Sequence, residues 1–214
     1  MSMIVPAVLA ETIELYKSQI EKVQPFAKRV HIDVSDGGFA PTFTVGAQEL
    51  WWPEGWQADI HAMVQRPEEY LAQLIQLKPN LVIFHAEADG DVLGALNTLK
   101  QYGIKAGIAL LRPTVPLDVA DLIKAADHVM VFTGELGKYG GTASLMQLEK
   151  VRLVKRINSV AEIGWDGGVN VDNAYTLTQG GVSVLNAGGF IQRANDPEQA
   201  FKQLEFEINK HGVL

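Results

Sequence analysis

Along the chain, short apolar runs rich in β-branched residues alternate with longer stretches whose apolar residues recur every three or four positions, a pattern that predicts strands alternating with helices. Strands are predicted over residues 3–8, 29–34, 58–63, 81–85, 104–110, 128–132, 162–165 and 182–187. Helical spacing covers 11–23, 67–77, 91–102, 116–125, 144–157, 170–179 and 197–210. Several of these stretches open on Pro or on an Asp, Asn or Ser suited to capping, and others close on a Gly or on a Pro just beyond. Between the second and third strands, residues 46–51 support a turn or two of helix at most.

Eight βα units in about 200 residues can close into a barrel or lie open as a doubly wound sheet. An open sheet binds its ligand behind a Gly-rich first turn, and the first strand here runs into Pro6-Ala7-Val8-Leu9-Ala10-Glu11, which has no glycine. Polar residues gather instead at the ends of strands two, three, four and seven. The expected fold is therefore α/β, a single (β/α)8 TIM barrel spanning residues 1–214.

Composition narrows the chemistry. With 47% hydrophobic residues the chain can bury a core without a disulfide, and with no cysteine any metal must be held by His, Asp or Glu. A net charge of −7 and a pI near 5.2 argue against a nucleic-acid partner and leave small metabolites. The N-terminal segment lacks a basic n-region and its apolar run breaks at Glu11, so a membrane span or signal is not expected and the cytoplasm is. Trp51, Trp52 and Trp56 form an aromatic group that could cover a homo-oligomer interface; core packing is the simpler expectation.

In Val30-His31-Ile32-Asp33-Val34, the period of two puts His31 and Asp33 on one face and the aliphatic residues on the other. In a barrel the polar face points inward, where an unpaired His and Asp would cost several kcal/mol, about as much as any buried polar group without a partner. His61 on strand three and Asp166 after strand seven extend the set. His31, Asp33, His61 and Asp166 thus form a candidate site for one divalent metal ion of the Zn, Fe, Mn or Co type. His85 is compatible with a ligand, a substrate contact or a structural anchor, whereas His128 and His211 read as structural. Glycine pairs follow the last three strands, Gly140-Gly141, Gly167-Gly168 and Gly188-Gly189, and backbone N–H groups in such loops favour a phosphorylated substrate.

With these pieces in place, the chain resembles ribulose-phosphate 3-epimerases. The resemblance rests on His31-Ile32-Asp33-Val34-Ser35-Asp36-Gly37-Gly38-Phe39-Ala40-Pro41, Asp59-Ile60-His61-Ala62-Met63-Val64, His85-Ala86-Glu87, Tyr139-Gly140-Gly141 and Trp165-Asp166-Gly167-Gly168-Val169. It implies that Asp33 and Asp166 act as acid and base as well as metal ligands, and that Met63 and the glycine pairs contact a ketose phosphate. Ribulose 5-phosphate, epimerised to xylulose 5-phosphate, is the expected substrate; another ketose phosphate such as allulose 6-phosphate, or non-catalytic binding of a sugar phosphate, is the alternative. Related sugar-phosphate decarboxylases carry an Asp-x-Lys-x-x-Asp run, and the corresponding segment here has no lysine.

The departures from the family lie on the substrate side. Ala7 replaces a serine at the end of strand one, Ser35 replaces a methionine, and Phe132 or Thr133 stands where another methionine is expected. Arg112 and Lys138 add positive charge in the loops after strands five and six, and Gly189 stands at a position that is commonly serine.

Overall fold

The structure, a computed structural model, describes residues 2–210; His211 lies outside them. Eight parallel strands close into a barrel in sequence order: β1 Met3–Val8, β2 Arg29–Ser35, β3 Gln57–Met63, β4 Leu81–His85, β5 Lys105–Leu110, β6 His128–Phe132, β7 Glu162–Asp166 and β8 Val184–Ala187. The helices around them are α1 Ile13–Val23, α2 Leu71–Leu77, α3 Val92–Gln101, α4 Ala120–Ala125, α5 Leu148–Ile157, α6 Ala174–Gln179, α7 Gly189–Gln192 and α8 Pro197–Ile208. The expected (β/α)8 barrel is the observed one.

Caps set several helix starts. Thr12, Asp91 and Asp196 each accept a hydrogen bond from the backbone three residues on, and Pro197 occupies the first turn of α8. Four predicted helices are shorter than their spacing suggested: 3-10 turns, Pro67–Glu69 and Leu145–Gln147, precede α2 and α5, and two others start late for local reasons. Residues 116–119 form turns before α4. Before α6, the side chain of Asn170 accepts from the amide of Asp172 and that of Asn173 from the amide of Asn170, local bonds that compete with helix until Ala174. Only the 3-10 turn Ala47–Glu49 lies between β2 and β3, as the weak pattern there implied. Of the tryptophans, Trp56 is buried in the core and Trp52 packs against it, as expected, while Trp51 is partly exposed and packs edge-on against Tyr16 at 6.1 Å.

Alternation along the strands divides the interior in two. Val30, Ile32 and Val34 of β2, with their counterparts on the other strands, pack outward against the helices. Inside the barrel, Leu81, Ile83, Ala109, Met130 and Phe132 make a separate apolar cluster. Below it, at the N-terminal end of the strands, Arg29 crosses to Asp59 (2.6 Å) and to Glu162 (2.8 and 3.1 Å), and Glu162 also meets His128 Nδ1 at 2.8 Å. Gly164 makes room for this: a Cβ there would lie 2.3 Å from His128 Nε2.

Burial alone would raise the Glu162 carboxyl, but hydrogen bonds from His128 and Arg29 outweigh it and hold it well below the usual carboxylate range. Because that value is depressed on folding, Glu162 stabilises the barrel above about pH 4 and loses its contribution as the pH falls toward the depressed value. Arg29→Met strands two carboxylates at the barrel floor, and chemical denaturation at pH 7 should show a loss of about 3–5 kcal/mol. A loss below about 1 kcal/mol would show that this network is dispensable.

Candidate active site

At the opposite, C-terminal end of the strands, His31 and Asp33 project inward from β2, His61 from β3 and Asp166 from the last position of β7. Parallel register sets Asp33 beside His61, so the β2 and β3 side chains meet without any loop intervening. His61 Nδ1 lies 2.9 Å from Asp33 Oδ1 and 3.8 Å from Asp166 Oδ2; His31 Nε2 lies 3.4 and 3.7 Å from the same two oxygens. One potential ligand atom from each of the four residues falls within 4.8 Å of all the others. Four ligands around a tetrahedral ion at bond lengths of about 2.1 Å would stand about 3.4 Å apart, within the range of these separations. His31 is wholly buried and neither of its ring nitrogens has a hydrogen-bond partner, an arrangement that a cation accepting the Nε2 lone pair would relieve. The residues therefore fit a divalent metal ion.

The two carboxylates are driven apart. Burial would raise Asp33, but the imidazoles of His31 and His61 outweigh it and hold Asp33 well below the ordinary carboxylate range. Asp166 is pushed up, by burial and by the charge of Asp33.

Above the cluster opens a cavity of about 230 Å³, small enough to suit a metabolite rather than a polymer. Asp33 and Asp166 form part of its floor, and Met63, Gly140, Gly141, Gly167, Gly168, Gly188 and Gly189 all line it. Gly167 needs its φ of +107° and has no room for a side chain, since a Cβ would strike the amide of Gly134 at 2.0 Å. Gly188 is closed in by the ring of Tyr139, whereas a Cβ on Gly189 would meet only ordinary contacts, with Gly140 N at 3.7 Å the nearest backbone atom.

The family differences each have a structural counterpart. At Ala7 the space at the end of β1 is covered by Tyr139, whose hydroxyl accepts from the Leu9 amide (2.6 Å) and donates to Gln19 Oε1 (2.5 Å). Ser35 turns away into its loop and donates to the Thr42 carbonyl at 2.6 Å. Phe132 lines the cavity, its ring 5.7 Å from His61 and 5.5 Å from His85. Arg112 is spent on the carbonyls of Thr133 and Thr142, away from the cavity over Asp33 and Asp166, whereas Lys138, exposed and paired with Glu135, stands on the lining of that cavity.

Sequence reasoning missed three residues here: Tyr139 as the cover of strand one, Asn186, whose inward position on β8 follows from the strand period, and Arg193, a cation at the cavity rim that donates to the Tyr139 carbonyl at 3.3 Å.

The family model described as the ribulose-phosphate 3-epimerase family matches residues 3–192, nearly the whole barrel. The chain belongs to the ribulose-phosphate 3-epimerase family. It is 30% identical over 211 residues to the ribulose-phosphate 3-epimerase of Mycobacterium leprae, covering 94% of this chain and 93% of that one. It is 29% identical to the Helicobacter pylori (strain 26695) protein of the same name, covering 94% and 96%, and 27% identical to that of Bacillus subtilis, covering 94% and 97%. As an epimerase-family member it is an enzyme of the isomerase class.

Solved structures agree on the fold alone. KGPDC from Streptococcus mutans superposes with a TM-score of 0.76 at 12% identity over 97% of both chains. The 3-hexulose-6-phosphate synthase of Salmonella typhimurium does so at 0.72 and 14% identity, over 98% of this chain and all of that one. Among the described residues of this family member, no helix is long and apolar enough to cross a membrane.

Proposed function

We propose that this protein is a metal-dependent 3-epimerase of a ketose phosphate, with ribulose 5-phosphate and xylulose 5-phosphate as its substrate pair. The observation that carries the reading is the pair Asp33 and Asp166: carboxylates from β2 and β7 that face one cavity and share the same two histidines. Inverting a carbon beside a ketone requires a group on one face to remove its proton and a group on the other to return one. Each carboxylate has one oxygen in the ligand cluster, Oδ1 of Asp33 and Oδ2 of Asp166, which leaves its second oxygen to carry the proton.

His31, Asp33, His61 and Asp166 would hold the ion. When bound, a divalent cation such as Zn, Fe, Mn or Co supplies Lewis-acid charge that steadies the negative oxygens of the enediolate. Asp33 takes the C3 proton from one face and Asp166 delivers one to the other, and the roles exchange in the reverse direction. Met63 and Phe132 give the carbon chain an apolar wall. The phosphate is placed among Gly140, Gly141, Gly167, Gly168, Gly188 and Gly189, whose small side lets backbone N–H groups approach it, with Arg193 at the rim.

Proton NMR of metal-loaded protein with ribulose 5-phosphate tests the substrate: xylulose 5-phosphate should accumulate to equilibrium, faster than any product from allulose 6-phosphate. Preference for the hexulose would overturn the pentose assignment. Arg193→Ala should raise KM for the phosphorylated ketose about tenfold, the equivalent of about 1.4 kcal/mol, with kcat little changed. An unchanged KM would remove Arg193 from phosphate binding.

A further inference from the structure

His85, at the end of β4, is wholly buried, and the ligand cluster reaches it through His61: Nε2 of one ring lies 2.9 Å from Nε2 of the other. On its far side, His85 Nδ1 faces Glu87 Oε2 at 3.4 Å. Both of these atoms are buried and neither has a hydrogen-bond partner, the 3.4 Å contact between them being longer and less aligned than a hydrogen bond. Glu87 is itself anchored, for its Oε1 accepts from the Leu111 amide at 2.9 Å and from the Thr114 hydroxyl. Phe39, tilted against the His85 ring at 4.6 Å, and Phe132, edge-on at 5.5 Å, hold the ring plane in place. A continuous line thus runs from the cluster through His61 and His85 to Glu87.

A contact between two imidazole nitrogens holds one proton, so the line has only two polarities. If the proton lies on His85 Nε2, His85 presents a lone pair to the Glu87 carboxylate, and two acceptors face each other in a buried place, a costly arrangement. If it lies on His61 Nε2, His85 is left with its proton on Nδ1, which points at Glu87 Oε2. The second polarity gives His85 Nε2 a donor and directs the Nδ1 proton of His85 toward Glu87; it leaves the lone pair of His61 on Nδ1, 2.9 Å from Asp33 Oδ1, where a cation bound by both residues would relieve the two facing acceptors.

We propose that His85 and Glu87 are positioning residues that fix the tautomer of His61, so that its Nδ1 lone pair is presented to the divalent cation. This inference rests on the metal site proposed above. A carboxylate at the far end of such a line also raises the basicity of the ligand nitrogen, and losing groups of this kind typically weakens metal binding by about 10–100-fold.

The experiment has two arms. Long-range 1H–15N spectra of the zinc-loaded wild-type protein should place the His61 proton on Nε2 and the His85 proton on Nδ1; a His85 proton on Nε2 would overturn the proposal with no variant needed. In the second arm, zinc affinity is measured by competition with a chelator. His85→Phe, which keeps an aromatic ring but offers no acceptor, should lose about 10–100-fold, and Glu87→Leu should weaken binding in the same direction. His85→Gln, whose amide oxygen can accept from His61 Nε2, should recover most of the loss. Zinc bound by wild type, with His85→Phe unchanged, would overturn this inference alone. A wild-type protein that binds no zinc, manganese, cobalt or iron would overturn the metal reading and this one with it.

Discussion

Asp166→Asn should lower the turnover of ribulose 5-phosphate by about 10²–10⁴-fold, the usual contribution of a positioned acid or base. Asn keeps the shape of the side chain and an oxygen in the direction of Asp166 Oδ2, but it cannot carry the proton. The fold should survive, because Asp166 stands at the C-terminal rim, remote from the charged floor around Arg29. Steady-state kinetics, circular dichroism and metal content measured on one preparation separate the possibilities. A folded variant that holds its ion and retains turnover within about tenfold of wild type would remove Asp166 from proton transfer.

Stripping the metal should be as damaging to activity and should also be visible in stability. A ligand present at a thousand times its dissociation constant stabilises the folded state by about 4.1 kcal/mol. At about 2–4 °C per kcal/mol for a chain of this size, that corresponds to a fall in Tm of about 8–16 °C after dialysis against chelator. Activity should drop to background and return on adding back Zn, Mn, Co or Fe(II), with the most effective ion identifying the preferred one. Full activity in protein shown by elemental analysis to be metal-free would contradict the role given to the cluster.

Much of this site was legible in the sequence because strands carry their geometry in a period of two. His31 and Asp33 had to share a face of β2, and that face had to be the inner one once Ile32 and Val34 demanded the helices. Parallel pairing then brought His61 alongside, and the closure of the barrel through β8 and β1 brought Asp166 of β7 round to face β2. None of this depended on a loop conformation.

Other features depended on contacts far apart in sequence. Tyr139 covers the end of β1 from a loop 130 residues away from Leu9, and nothing near Ala7 announces it. His85 could not be assigned from spacing, since its meaning lies in Glu87 on one side and His61 on the other. Asp59 has the same inward alternation as His61, yet it points to the floor, where Arg29 and Asn80 hold it at 2.6 and 2.7 Å. A two-residue shift along β3 is enough to separate a structural carboxylate from the candidate site. Arg112 and Lys138 look alike as charges in the sequence, but one closes onto backbone carbonyls and the other is solvated and ion-paired.

The helix ends were the least legible part for a related reason. Pro116 and Asn170 are both good first residues for a helix, and in both places local turns take the backbone groups before the helix begins, at Ala120 and at Ala174. Propensity identified the region; the boundary was set by side-chain bonds of Asn170 and Asn173 in one case and by a backbone turn, Asp118 N to the Val115 carbonyl, in the other.

On the proposed reading, two opposed carboxylates over one metal site exchange the proton on C3 of a ketose phosphate. The most direct measurement is the incubation of metal-loaded protein with ribulose 5-phosphate in deuterated water, followed by NMR at C3. Deuterium should enter C3 of both ribulose 5-phosphate and the xylulose 5-phosphate formed from it, and neither product nor exchange should be seen with Asp166→Asn. Absence of exchange at C3 in a folded, metal-loaded wild-type protein would contradict it.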